Sequence, residues 1–239
     1  MTSDVLEQLT GLGPFFALDS HQSACTSPWQ PLASLLEAAM LERRTAVVAR
    51  SLASGAGLDP EQVEARVAGS VSQLGLMARL VAPWLGLAAL GSPPPMQLAD
   101  LRWIPAAGSG FALSIDSTVL RSGRTLALAD SVVVVTDALL APVVQAIGGS
   151  PQVLWGNVAS AASGAVSASR STRPDLTAAM RRAATVLIEA LPLAQMYTGE
   201  VGGAGFRRRS CCLLYRVGAA SPRAVCGDCV LMQRGPRFT

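Results

Sequence analysis

The 239-residue chain has no lysine and only one histidine. All 19 basic residues are arginine, and Ala, Gly, Val and Pro are abundant, a pattern that matches the codon bias of a high-GC bacterial genome. The single histidine, His21, excludes a Rieske-type centre, which needs two. Charge is also scarce. Charged residues make up 15% of the chain and apolar residues 50%, which excludes disorder and fits a compact folded protein. The opening Met1-Thr2-Ser3-Asp4 lacks the basic and apolar regions of a secretory signal. Long uncharged apolar runs are missing too. Arg79 interrupts 71–91, and Asp130 and Asp137 interrupt 125–148, so a membrane-spanning helix is not expected. The glycines of 199–205 lack GxGxxG spacing and a strand–turn–helix context, so no nicotinamide or flavin domain is expected. These absences point to a cytoplasmic protein with reduced thiols and no nucleic-acid partner. A positive mean hydropathy leaves room for peripheral membrane contact.

What is present falls into three stretches. In 1–95, Leu32, Leu35, Leu36, Ala39 and Met40 follow a helical rhythm that Gly55 and Gly57 end. Asp59, Pro60 and Gln62 then form a capping box ahead of Val63, Val67, Val71 and Leu74, with Pro83 expected to stop or kink that helix. Ser92-Pro93-Pro94-Pro95 reads as a stiff linker. In 96–200 the period changes to two. Leu101 and Trp103, then Phe111, Leu113 and Ile115, flank Gly108-Ser109-Gly110 as a hairpin or a pair of neighbouring strands. Val132–Val135 fits either a strand or a buried helix, and helices are expected near 137–148, 157–168 and 174–191. The fold class is therefore α+β, mainly helical with a small antiparallel sheet.

The third stretch, 201–239, carries the chemistry. It holds 7 Arg against one acid, Asp228, whereas 1–200 holds 12 Arg against 15 acids. A basic patch of this kind attracts anionic partners. Four of the five cysteines also lie here: Cys211-Cys212, a spacer of 13 residues, then Cys226-Gly227-Asp228-Cys229. Leu213–Val217 has strand composition, Gly218–Pro222 supplies a turn, and Gly227 permits a tight loop, so the chain can return the second pair beside the first. Four thiolates match the ligand set of a [2Fe–2S] cluster. Zinc accepts the same set, although adjacent cysteines suit it less well. Disulfides are disfavoured by the odd cysteine count and the expected compartment. Cys25 reads as a buried structural thiol.

The run Phe206-Arg207-Arg208-Arg209-Ser210-Cys211-Cys212-Leu213-Leu214-Tyr215-Arg216, followed by Cys226-Gly227-Asp228-Cys229, resembles the C-terminus of FhuF-type ferric-siderophore reductases. Leu154-Trp155-Gly156-Asn157 resembles a Trp-Gly-Asn segment upstream in that family. The spacer between the cysteine pairs is longer here than the family's familiar one. The resemblance implies that Cys211, Cys212, Cys226 and Cys229 hold a [2Fe–2S] cluster. It also implies one-electron reduction of Fe(III) in a hydroxamate or mixed-type siderophore, with electrons from a separate ferredoxin or NAD(P)H-dependent reductase. The rival reading is an iron–sulfur electron carrier or redox sensor without a siderophore site. Arg207, Arg208 and Arg209, with Arg216 and Arg223, are the expected docking charges. Trp155 and Asn157 are candidate substrate contacts, set against plainer readings as core packing and a helix N-cap.

Overall fold

A computed structural model describes residues 2–23, 28–91, 93–106, 110–121, 125–193, 195–217 and 225–233. Cys25, Ser92, Gly108, Ser109, the Gly218–Pro222 turn and Arg223 lie outside the described residues. The chain begins with α1 (Thr2–Gly11), β1 (Asp19–His21), β2 (Gln30–Pro31), α2 (Ala38–Ala56) and α3 (Ala65–Ala89). Next come β3 (Leu101–Pro105), β4 (Phe111–Asp116), α4 (Ser117–Arg121), α5 (Leu128–Val135) and α6 (Ala141–Ile147). The last elements are α7 (Pro151–Thr172), α8 (Thr177–Glu189), β5 (Tyr197–Thr198) and β6 (Arg207–Arg208). The protein is thus α+β and mainly helical.

The local chemistry of α2 and α3 explains their limits. Gly57 adopts φ +67° just past α2, and its N–H reaches back to the carbonyls of Ala53 and Ser54. The capping box is present, with the Asp59 N–H donating to Gln62 Oε1 at 2.8 Å. It caps a short turn, Pro60–Gln62, and α3 starts only at Ala65. Pro83 does not stop α3, which continues to Ala89. The residues around it, from Leu80 to Leu87, are all buried, so packing on every side sustains the helix through the missing hydrogen bond.

The hairpin expected near 101–115 is β3 with β4, antiparallel, with Trp103 opposite Leu113. The sheet order is β1-β4-β3-β2, and β1 joins β4 in parallel. The sheet is therefore mixed, not purely antiparallel. β1 is only three residues long and lacks the alternation that would have revealed it. Val132–Val135 is helical and leads through a π-turn, Thr136–Leu140, into α6. α7 begins at Pro151, six residues before the expected start, because Pro151 takes the first helical position.

One hydrophobic core runs from Leu9 to Phe206 and draws on residues both before and after the Pro93–Pro95 segment. α3 and α7 lie at its centre, and α7 is rich in Ala, Ser and Gly, so helices can approach closely. Two helical stretches, Ala65–Ala89 and Leu128–Ile147, are long and apolar enough to cross a membrane by length and composition alone. In the first, 67% of the most apolar window is buried inside the protein. A second, smaller core joins Ala53, Val63, Val67, Ala68 and Val217, with Leu213 and Leu214 against it. That small core seats the C-terminal segment on α2 and α3.

Candidate functional site at the C-terminal cysteines

The path to the cysteines is set by glycine. Gly199 has φ +79°, and a Cβ there would stand 2.2 Å from the Gly205 carbonyl oxygen. Gly202 has φ +73°, and its Cβ would meet Val166 of α7 at 2.3 Å. The stretch 199–205 is thus the tight link between β5 and β6, packed against α7. The Arg209 N–H donates to the Met196 carbonyl at 2.8 Å and extends the ribbon toward Ser210. There α7 comes very close. A Cβ on Gly156 would lie 1.9 Å from Ser210 Oγ, so the glycine of the Trp-Gly-Asn motif makes room for the residue before Cys211.

Leu213 turns the chain at φ +67°, and its N–H donates to Cys211 Sγ at 3.3 Å. The Leu231 N–H does the same for Cys229 Sγ at 3.4 Å. The Cys226–Cys229 loop closes on itself through the Cys229 N–H and the Cys226 carbonyl, 3.1 Å apart. Leu213–Val217 is not a strand as its composition suggested. Leu214–Arg216 forms a short helical turn, because Leu213, Leu214 and Val217 pack onto α2 and α3 instead of pairing with another strand.

All four thiols are free. Cys212 and Cys229 are buried, and Cys211 and Cys226 are half-buried. Cys212 Sγ and Cys226 Sγ lie 3.4 Å apart, and Cys211 is within electrostatic reach of Cys229 and Cys226. The sulfurs are neighbours, yet among the described residues no three His, Cys, Asp or Glu side chains close on one point as a metal-ligand group.

The residue that organises the site is Arg208, which is 1% exposed. Its Nη2 donates to Cys226 Sγ at 3.1 Å, its Nη1 donates to Asn157 Oδ1, and its Nε is 3.6 Å from Asp228 Oδ2. Its backbone N–H donates to the Asp228 carbonyl at 3.2 Å. Asn157, fully buried, continues the network. Its Nδ2 donates to the Ser70 carbonyl at 3.0 Å and to Gln73 Oε1 at 2.6 Å. Gln73 in turn donates to the Leu154 carbonyl at 3.2 Å. A polar chain thus runs from α3 through α7 to the cysteines.

The electrostatics follow from this arrangement. Burial works against the Arg208 charge, but Asp228 and the sulfurs of Cys212 and Cys226 outweigh it and raise its pKa. The hydrogen bond between Cys212 and Cys226 lowers the Cys212 thiol to about 7, with burial opposing and Arg208 assisting. Cys226 is pushed up by Cys212 and by burial. Burial also raises Cys211.

The other expected residues separate. Arg207 is half-buried and gives its Nη1 to the carbonyls of Ala204 and Phe206. Arg209 is exposed and reaches Gln195 Oε1 at 3.2 Å. Arg216 pairs with Glu64 at 2.5 Å, and Glu64 also takes Arg66 at 2.6 Å. Trp155 is buried in the core. Asn157 is not an N-cap: Ser150 occupies that position and Asn157 lies inside α7. Sequence reasoning missed Ser70, Gln73 and Asp228. Gln73 and Ser70 are buried polar residues on a mostly apolar helix, and Asp228 is the one acid of the basic stretch. Those exceptions were the available signals.

No family model matches this chain, and no curated protein matches it. The residues present do fit an iron–sulfur group on their chemistry. Four thiols lie together, two amides already donate to sulfur, and a buried guanidinium stands beside Cys226.

Proposed function

We propose that the chain is a ferric-siderophore reductase of the FhuF type, with Cys211, Cys212, Cys226 and Cys229 as ligands of a [2Fe–2S] cluster. The observation that supports this reading is the nearness of four free cysteines on a scaffold that directs Leu213 N–H, Leu231 N–H and Arg208 Nη2 at three of their sulfurs. Such a cluster, when bound, supplies one-electron chemistry. Arg208 and the two amides place positive charge beside the thiolates, which favours the more reduced state of the site. Asn157, Gln73 and Ser70 hold Arg208 in place without exposing it. A recess of about 350 Å³, lined in part by Ser160, Ser163, Arg207 and Asp228, adjoins the cysteine loop and offers a place for a polar substrate. The substrate is Fe(III) bound by the hard oxygen donors of a hydroxamate or mixed siderophore. Reduction to Fe(II) weakens that binding and frees the metal. The electron donor is a separate ferredoxin or NAD(P)H-dependent reductase, and the setting is cytoplasmic.

The test begins with metal content. Anaerobically purified protein is expected to hold about two irons and two sulfides per chain. Cys→Ser at 211, 212, 226 or 229 is expected to strip the metal, and Cys25→Ser is not. A colourless protein with one zinc per chain would refute the cluster. The reduced protein is then mixed with ferric siderophore and an Fe(II) chelator. Reoxidation with Fe(II) release supports the reductase, and reoxidation without release supports the carrier or sensor.

A further inference from the structure

A second feature of the fold uses none of the cysteines. On α3, Val71, Gly75 and Arg79 follow each other four residues apart and form one stripe. Ser70 and Gln73, which hold Asn157, lie on the opposite side of the helix. The first stripe walls a cavity of about 640 Å³, a size suited to a small molecule. Val48 and Leu52 of α2 and Phe111 of β4 supply apolar walls, and Arg44 and Arg79 supply charge. The two guanidinium groups converge on one ring, with Arg44 Cζ 5.2 Å and Arg79 Cζ 5.7 Å from the centre of Phe111.

Neither arginine resembles a solvated surface charge. Arg44 is 8% exposed. Arg79 Nη1 lies within hydrogen-bond distance of the carbonyls of Pro14, Phe15 and Ala17, at 2.8–3.0 Å, which fixes the guanidinium at the cavity wall. Burial pulls both arginines below their ordinary pKa range, with Asp19 partly offsetting it at Arg79. Two guanidinium groups on the wall of one largely apolar cavity present charge that suits an anion placed between them. Gly75 is exposed and adds no side chain, which leaves the mouth open, and Phe15 stands at the rim, 52% exposed.

We infer that this cavity binds a small organic anion with a flat apolar body, its charge held by Arg44 and Arg79 and its body by Phe111 and the aliphatic walls. A fixed pair of cations selects for charge, and the walls select for apolar area.

The test uses the full chain as purified, with two fluorescent probes. Anilinonaphthalene sulfonate carries the charge, and phenylnaphthylamine has the same rings without it. The sulfonate is expected to bind once per chain and roughly tenfold or more tighter than the neutral dye. Arg44→Gln or Arg79→Gln is expected to bring the two affinities within about threefold of each other. Arg79 also anchors the 14–17 loop, so Gly75→Trp serves as a second variant. A Cβ at Gly75 meets nothing within 4 Å, and the indole would fill the mouth. Loss of binding of both dyes with an unchanged circular dichroism spectrum supports the site. Equal affinity for the two dyes, no saturable binding, or binding that Gly75→Trp leaves intact overturns it.

Discussion

Asn157 can be tested without any metal in the experiment. In Asn157→Ala, Arg208 keeps its buried charge and loses the acceptor on Nη1, while Gln73 Oε1 and the Ser70 carbonyl lose a donor. A hydrogen bond to a charged group contributes about 1.5–3 kcal/mol and a neutral one about 1 kcal/mol. The variant should therefore lose about 3.5–5 kcal/mol. For a chain of this size that corresponds to a fall in Tm of about 7–20 °C. Arg208→Met removes the charge and should lose a similar amount. In the double variant the two losses overlap, because they share one interaction. The coupling energy should be about 1.5–3 kcal/mol. The assay is urea unfolding followed by the fluorescence of the four tryptophans, with reductant and chelator present so that no ligand stabilises one variant more than another. A coupling below about 0.5 kcal/mol, within the range of independent sites, would show that Asn157 does not hold Arg208 in solution.

The glycine contacts give two further expectations. Gly199→Ala forces a side chain into a left-handed backbone and to 2.2 Å from the Gly205 carbonyl, so it should cost more than about 2 kcal/mol in thermal unfolding; a loss below about 0.5 kcal/mol would contradict the turn. Gly156→Val should push Ser210 away from α7 and lower iron content per chain more than it lowers Tm, because Ser210 precedes Cys211; unchanged iron content would separate α7 from the cysteine site.

Much of the helical frame was legible because α2 and α8 are amphipathic and carry their own stop signals at Gly57 and Pro192. The hairpin was legible because Leu101, Trp103, Phe111, Leu113 and Ile115 alternate. β1 and β2 were hidden because two or three residues carry no period, and their pairing is decided by distant strands. The start of α7 was obscured because Gly156 and Asn157 have poor helix propensity, and tertiary contacts override it. The cysteines stood out by spacing. The network behind them did not, because spacing says nothing of which polar residues two remote helices bring together. Asn157 and Gln73 are 84 residues apart, and Asn157 and Arg208 are 51 apart.

The run Arg207-Arg208-Arg209 shows why a charge count is a poor guide to a surface. In extended backbone successive side chains point to opposite sides, so three adjacent arginines cannot all face one partner. β6 and the residue after it obey this: Arg208 is sealed inside, Arg209 is exposed and Arg207 is half-buried. Changing all three at once would mix loss of docking charge with collapse of the site. The clean variant is Arg207→Gln with Arg209→Gln, which removes two outer charges and leaves every contact of Arg208 in place. If these arginines dock an acidic electron donor, the double variant should keep its iron content and Tm. Its association with a ferredoxin should weaken severalfold at low salt and depend less steeply on salt, since exposed charges are screened over about 8 Å at physiological ionic strength. Arg208→Met should do the reverse, disturbing the cysteine site while leaving the salt dependence of whatever protein remains loaded nearly unchanged. Stopped-flow transfer from a reduced ferredoxin over a range of salt concentrations separates the two. Identical rates and salt slopes for the double variant and the parent would make Arg207 and Arg209 a solvated face and move the docking surface elsewhere.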